Sequence, residues 1–517
     1  VRIALCTVRI ALCAVWIALC ATGFLFASCS KTYQGRYPHV ILISLDTTRA
    51  DHLGCYGNEH IRTPNIDRLA HEGVLFRAAT AAAPTTLASH VSIMTGSYPH
   101  THGVPRNGFT ISADNLMLAE VLRKNGFRTA AFLGSFALDR RFGFDRGFDV
   151  FDQDFEIGVD RDAYDQDQRR AAAVTDAALR WAGGAEPAPT FLFVHYFDAH
   201  EPFDPPPPFD RMYARADGPA RAGPAEIDRA VREHQEHALG SALGLQKVIT
   251  GGLTRELVSG DGGPASTLDH DIEALYAGEI SYIDRELGRL LDGLRQKGWL
   301  ESSLVIVTAD HGETFGGEHG DPWNHGLWVY DTTVRVPLIV RRSDALAARE
   351  VALPVSTTDI FPTVLELLGI AAPARTEGHS LAPLCDGSVL ERGPVYSEAT
   401  QPPSVESGQA WRNARKPKCV RDGQWKYIRA PYLDLDELYD LEADPAERHN
   451  LLPPSADDPR AQSTRETAAR LRAELDVWSG RAHPLPSSFD KAQLEDTLRR
   501  LNQLGYPGGD GKHDDGH

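Results

Sequence analysis

His39-Val40-Ile41-Leu42-Ile43-Ser44-Leu45-Asp46 is a nearly unbroken aliphatic run that stops at a carboxylate. A run without polar alternation is the pattern of a parallel strand covered on both faces. Comparable runs occupy Thr129 to Leu133, Thr190 to Tyr196 and Ser303 to Thr308, with helix-period or loop sequence between them. Thr63-Pro64 has the form of an N-cap and first turn for a helix over 64–72, and apolar residues recur at helical spacing from Asp269 to Lys297. Strands alternating with helices predict an α/β fold with a doubly wound, mostly parallel sheet. Chemistry in such sheets gathers beyond the carboxyl ends of the strands. Two acids, Asp46 and Asp310, fall at that edge.

Between the first two strand-like runs, Pro84-Thr85 leads into Thr86-Leu87-Ala88-Ser89-His90-Val91-Ser92-Ile93-Met94-Thr95-Gly96. The turn followed by helix-compatible sequence places Thr86 near a helix N-terminus, where free N–H groups and the dipole favour an anion or an alkoxide. Asp310 and His311 end the 303–308 strand in Val307-Thr308-Ala309-Asp310-His311-Gly312-Glu313. An acid capping a strand is common and says little by itself. Asp46, Asp310 and His311 at one sheet edge, with Thr86 on a neighbouring helix start, predict a site for one divalent metal ion with Asp46, Thr86, Asp310 and His311 as ligands. The metal would acidify the Thr86 hydroxyl and polarise an ester oxygen.

The Thr86–Gly96 stretch, followed by Tyr98-Pro99-His100-Thr101-His102-Gly103-Val104, resembles the nucleophile segment of the sulfatase family in the alkaline phosphatase superfamily. Glu437-Leu438-Tyr439-Asp440-Leu441 and Asp444-Pro445-Ala446-Glu447-Arg448-His449-Asn450-Leu451 are similar to its C-terminal subdomain, a small antiparallel sheet with a helix. The resemblance covers most of residues 38 to 452. It implies a nucleophile made from cysteine or serine by oxidation to formylglycine, in a pattern of Cys or Ser, any residue, Pro, any residue, Arg. Thr86, Ala88 and His90 stand at those positions, and threonine is not a known source of that aldehyde. The family's first motif usually has two adjacent acids and its late motif Asp-Asn, an all-oxygen calcium site. Thr47 and His311 stand there in this chain, so Mn²⁺ or Zn²⁺ is favoured over Ca²⁺, as in the family's phosphonate monoester hydrolase and phosphoglycerol transferase relatives.

The same resemblance implies further catalytic residues. His90 is expected to hydrogen-bond the nucleophile or a substrate oxygen, against a second-shell or helix-surface role. His200, in Phe197-Asp198-Ala199-His200-Glu201-Pro202, matches a substrate contact or leaving-group proton donor. His325, in Trp323-Asn324-His325-Gly326, falls where sulfatases carry a lysine and is expected to meet a substrate oxygen. The other family lysine is replaced by Ser135. His195 is expected to face away from Tyr196 and to be structural. Asp321 with His325 is a weaker candidate for a second metal.

Since a sulfated threonine has no second hydroxyl to expel sulfate, the leading expectation is a metal-dependent hydrolase or transferase acting on a phosphate mono- or diester through Thr86. The alternatives are a sulfatase working without formylglycine and a non-catalytic binder of sulfated or phosphorylated polymers. A net charge of −18 over 517 residues argues against nucleic acid and anionic membrane as partners, leaving an anionic ester met by local cations. Residues 1–29 carry a seven-residue repeat of Ile-Ala-Leu-Cys form and read as a signal peptide. It ends in Leu25-Phe26-Ala27-Ser28-Cys29, a lipobox with Cys29 as the lipidated residue, so export to a bacterial periplasm or outer membrane is expected. An uncleaved anchor or a start set too early are the other readings of this leader. The expected organisation is a catalytic domain over 38–375, interrupted by an insertion at 203–268 that opens with Pro205-Pro206-Pro207-Pro208. A C-terminal subdomain over 376–480 and a partly disordered tail over 481–517 complete it. Cys55, Cys385 and Cys419 cannot all pair, and no spacing among them resembles a zinc knuckle.

Overall fold

The computed structural model describes residues 33, 35–155, 167–214, 267–315, 319, 325–344, 348–406, 408, 410–455, 457–488 and 494–504. The leader with Cys29, most of the insertion, Asp321 and the final residues of the tail lie outside the described residues.

The eight-stranded central sheet is built from β1 (His39–Leu45), β2 (Val74–Phe76), β4 (Arg128–Phe132), β5 (Val150–Asp152), β6 (Thr190–Tyr196), β7 (Ser303–Thr308), β9 (Leu338–Arg342) and β10 (Arg349–Val351). Its order is β10-β2-β9-β7-β1-β6-β4-β5. All neighbours are parallel except β9, which runs antiparallel to both β7 and β2. The expected mostly parallel α/β sheet is therefore present. Its central strand β1 is apolar from Val40 to Ile43 and again at Leu45 because both faces are covered. Val40 and Leu42 pack in one core with Leu87, Val91 and Met94 of helix α2 (Thr86–Thr95). Ile41, Ile43 and Leu45 pack in a second core with Ile280, Ile283 and Leu287 of the long helix α5 (Thr267–Gln296). Helices α1 (Pro64–Glu72), α3 (Leu118–Lys124), α4 (Ala171–Gly184) and α6 (Ile360–Leu367) complete the layers. The Thr63 hydroxyl does not cap α1 in the usual way; it accepts the Gly54 N–H and donates to Asp67.

Parallel pairing sets Leu45 beside Tyr196 and Ser44 beside Thr308, so the loops after β1, β6 and β7 leave the sheet side by side. The ladder runs one residue further, with the Asp46 N–H donating to the Tyr196 carbonyl at 2.9 Å.

A small sheet joins β3 (Ala79–Thr80), β8 (Arg335–Val336) and β11 (Val355–Ser356). A second, four-stranded antiparallel sheet follows in simple order, β12 (Val395–Glu398), β13 (Lys418–Asp422), β14 (Trp425–Ala430) and β15 (Leu435–Asp440). Helix α7 (Ala461–Ser479) lies on it, packing Leu471, Leu475 and Trp478 against Val420, Tyr427 and Leu438. The sequence pattern did not reveal that the tail returns to loops that flank the central sheet. Ser488 accepts a hydrogen bond from the Thr110 N–H, and helix α8 (Leu494–Gln503) sets Arg500 over the Phe136 ring and against Asp167. Cys55, Cys385 and Cys419 are all free thiols.

His100 joins the two sheets. Its backbone N–H donates to Glu398 at 2.9 Å, its ring lies 3.5 Å from Glu377, and Trp478 of α7 meets it edge-on at 4.3 Å. Burial alone would push this imidazole down, but Glu377 and Glu398 outweigh burial and raise it to about 9. A raised folded-state value means the stabilisation is complete below the unfolded histidine pKa of about 6.5 and is lost as pH rises through 9, at most about 3 kcal/mol. His100→Gln is therefore expected to lose stability relative to wild type at pH 6, with the gap closing toward pH 9.5. Denaturant unfolding of both proteins across that range measures it, and a constant gap would count against a charged His100.

Candidate active site

The site is assembled on α2, whose ten residues are all buried. Thr85 precedes the helix in an extended conformation, and Gly96 ends it at φ 67°, where any side chain would be strained. Two bonds hold this helix against the strand ends and a third, within the helix, fixes the His90 ring. Ser89 Oγ donates to the Asp310 carbonyl at 2.7 Å, His90 Nδ1 donates to the Thr86 carbonyl at 2.7 Å, and His90 Nε2 accepts from Ser44 Oγ at 2.8 Å. Thr86 thereby stands in the first turn with its Oγ1 3.5 Å from His311 Nε2.

Asp46, Asp310 and His311 are wholly buried, and one ligand atom from each lies within 4.8 Å of the others. Among the described residues this is the one such group of three. Asp46 Oδ2 accepts a 2.8 Å bond from His195 Nε2, leaving Oδ1 with no hydrogen-bond partner. Asp310 Oδ1 accepts the backbone N–H groups of Thr47 and His311, leaving Oδ2 with none. His311 Nδ1 donates to the Gly312 carbonyl at 3.0 Å, which leaves Nε2 as the ring atom able to ligate a metal. Two orphaned carboxylate oxygens and an imidazole nitrogen converging in a buried site fit a divalent cation. Without one, burial pushes Asp46 up to about 7, and burial together with the Asp46 charge raises Asp310.

The backbone around this group is constrained. Thr47 has φ 52°, a rare conformation for a β-branched residue, and is held by the Tyr276 hydroxyl on its carbonyl at 2.7 Å. Its own hydroxyl turns back to the Asp46 carbonyl. A side chain at Gly312 would meet the Thr332 carbonyl at 2.2 Å, so only glycine lets His311 sit where it does.

Two further rings border the group. His325 stacks on His311 with centroids 4.4 Å apart and bonds Glu313 through Nδ1 at 3.0 Å. His200 meets His325 edge-on at 5.1 Å, stacks on Phe197 and donates from Nδ1 to the Glu201 carbonyl at 2.9 Å. Burial, reinforced by His325, drives the His200 imidazole well below its ordinary value.

The structure brings Asp46, Thr86, Asp310, His311, His200 and His325 together, as the motif positions implied. His90 is different. Both of its ring nitrogens bond the scaffold, and burial pushes it down to about 3, so it is neutral and braces α2 from behind instead of reaching the Thr86 hydroxyl. His195 does face away from Tyr196, yet it is the hydrogen-bond donor that orients Asp46. Its register opposite Ser44, two residues before Asp46, was the available signal. Sequence reading also passed over Glu313 and Asn107. Asn107 Oδ1 takes the Leu87 N–H at 2.8 Å, while its buried Nδ2 has no hydrogen-bond partner at the N-terminus of α2. Ser135 caps the Ala137 N–H and provides no cation where a lysine was expected.

The profile described as Sulfatase matches residues 38–370, and that described as N-sulphoglucosamine sulphohydrolase, C-terminal, matches 317–475. The chain is 25% identical to an N-acetylglucosamine-6-O-sulfatase of Bacteroides thetaiotaomicron, over 82% of this chain and 85% of that one. It is 28% identical to the multifunctional alkaline phosphatase superfamily protein PehA of Trinickia caryophylli, over 80% and 91% respectively. Among solved structures, a phosphonate monoester hydrolase of Agrobacterium radiobacter superposes with a TM-score of 0.62 at 27% identity, over 84% of this chain and 96% of that one.

Elemental analysis of the purified protein is expected to find about one divalent metal per chain, and chelation should lower the melting temperature. Asp310→Asn and His311→Ala should each abolish tight binding. Loss of an outer-shell orienter costs metal affinity about 10- to 100-fold, the effect expected for His195→Ala in a competition titration with a chromophoric chelator. Unchanged affinity in that variant would mean that Asp46 needs no orienting partner.

Proposed function

The chain belongs to the sulfatase family, and from that premise we propose that it is a metal-dependent hydrolase cleaving a phosphate mono- or diester through a covalent intermediate on Thr86. One observation supports this reading above the others. The hydroxyl beside the carboxylate and imidazole cluster belongs to threonine, a residue that can attack an ester but lacks the second hydroxyl with which a formylglycine hydrate expels sulfate.

Asp46, Asp310, His311 and Thr86 would hold one divalent ion, and the imidazole in the set favours Mn²⁺ or Zn²⁺ over Ca²⁺. When bound, that ion would supply charge neutralisation of the ester and a lower pKa for the Thr86 hydroxyl. His200 has its Nδ1 proton engaged by the Glu201 carbonyl, so proton exchange with substrate falls to Nε2. An anionic ester arriving beside it favours the protonated ring. Thr86 Oγ1, its proton already lost to solvent, bonds phosphorus as the ester P–O bond breaks, and His200 Nε2 gives its proton to the departing oxygen. Water then attacks phosphorus, its proton returns to His200 Nε2, and Thr86 Oγ1 is released. His325, held by Glu313, and Asn107 Nδ2 are the donors proposed for the non-bridging oxygens.

Hydrolysis of a sulfate ester is the second reading, favoured by the 25% identity to the N-acetylglucosamine-6-O-sulfatase along most of both chains. In that case water attacks sulfur and Thr86 serves only to position it. The N-terminal segment supports export with a lipid anchor at Cys29, and no helix among the described residues is long and apolar enough to cross a membrane.

Metal-loaded enzyme is expected to turn over aryl phosphate mono- or diesters faster than aryl sulfate. Mass spectrometry of acid-quenched reactions should find a phosphoryl adduct on the peptide containing Thr86. Thr86→Ala should reduce phosphate-ester turnover by about 10³-fold or more, on the scale of a lost nucleophile, while Thr86→Ser retains activity. Turnover of the sulfate alone would overturn the phosphoryl reading.

A further inference from the structure

The direction of the His200 ring depends on the loop that carries it. His200 lies four residues beyond β6, in segment 197–204. Its Nδ1 proton goes to the Glu201 carbonyl and its face rests on Phe197, 4.4 Å between centroids. Where Nε2 points is therefore decided by where segment 197–204 is fastened.

Both ends of the segment are fastened outside the site, Arg170 reaching both of them and Glu279 the far one. At the near end, Asp198 Oδ2 accepts the Ala171 N–H at 2.8 Å, the first residue of α4, and Asp198 Oδ1 lies 3.8 Å from Arg170. At the far end, Glu279 on α5 accepts the Asp204 N–H at 3.0 Å, while Arg170 donates to the Asp204 carbonyl at 2.7 Å and to its carboxylate at 3.0 Å. Arg170 and Glu279 are themselves paired at 3.2 Å. The neighbouring Gly278 lets the following chain lie against α5, since a side chain there would meet the Phe209 carbonyl at 2.5 Å. Asp198 and Glu279 have fully buried side chains while Asp204 stands at the surface, so one guanidinium faces two desolvated carboxylates and one solvated one. Such a cluster adds little net stability over apolar packing, whereas its geometry is strict.

We propose that Arg170 and Glu279 are positioning residues for catalysis, a clamp on both ends of segment 197–204 that aims His200 Nε2 at the leaving oxygen. This rests on the reading of His200 as the leaving-group proton donor.

The clamp makes a prediction that a simple loss of fold does not. A proton donor matters for an alkoxide leaving group and hardly matters for 4-nitrophenolate, which departs without one. The test compares kcat on an alkyl 4-nitrophenyl phosphate diester and on a dialkyl phosphate diester, for wild type, Arg170→Met, Glu279→Gln, Arg170→Lys, His200→Ala and the Arg170→Met/His200→Ala double variant. Metal content and melting temperature are measured for each. His200→Ala is expected to slow the dialkyl ester about 100-fold, the scale of general acid catalysis, and the nitrophenyl ester only slightly. Arg170→Met and Glu279→Gln should show the same selectivity, about 10-fold on the dialkyl ester. Arg170→Lys should recover part of the loss, and Arg170→Met should add nothing in the His200→Ala background. If His200→Ala is selective but the clamp variants slow both esters equally, or neither, the clamp is overturned while the donor reading stands. If His200→Ala itself shows no selectivity, the donor reading fails and the clamp falls with it.

Discussion

Two carboxylates buried within a few ångströms of each other, with no side-chain cation between them, are the constraint around which this protein is arranged. Asp46 and Asp310 are fully buried, and each keeps one oxygen without a hydrogen bond. Burying charge in that way is unfavourable unless a partner is supplied. The nearby groups fix the other two oxygens instead of neutralising them: His195 holds one, and the Thr47 and His311 N–H groups hold the other. What remains is a pair of lone-pair donors aimed at one point, completed by His311 Nε2. The unusual backbone of Thr47 and the obligatory glycine at 312 follow from the need to bring these chains so close.

The same constraint explains why α2 is buried on every side. A surface helix would place Thr86 only approximately, whereas Ser44, Ser89, His90 and the Asp310 carbonyl tie this one to the ends of two strands. His90 is informative because it stands at a position that resembles an arginine contact in related sequences. Inside α2 an imidazole kept neutral by burial cannot offer a charge, but it can bond both the first-turn carbonyl and a strand serine. In this position the ring acts as a brace between the helix and the strand.

Some of this was legible in the sequence. Unalternating apolar runs at His39–Leu45 and Ser303–Thr308 identified buried parallel strands, because period is local and burial on both faces removes polar residues from it. Asp46 and Asp310 followed from their places at the ends of those runs, and His200 and His325 from motif similarity. His195, Glu313, Arg170 and Glu279 were not legible as parts of a site. Each acts through a partner more than ten residues away, and no local pattern distinguishes such a residue from an ordinary buried polar group. The return of α8 to Phe136 and Asp167 was hidden for the same reason, since a short amphipathic helix carries no mark of where it docks.

Sequence alone determined the fold class, the family and the identity of the groups at the strand ends, because those depend on short-range periodicity and on motifs of a few residues. It also places a threonine, with a single hydroxyl, at the first turn of α2. Only the tertiary structure decided which oxygen of each carboxylate stays unpartnered, that His90 faces the scaffold, and that His200 is aimed by residues on two distant helices. Those outcomes depend on strand register and side-chain packing across hundreds of residues, and hydrogen bonds of three ångströms are settled only when the whole sheet and its helices are in place.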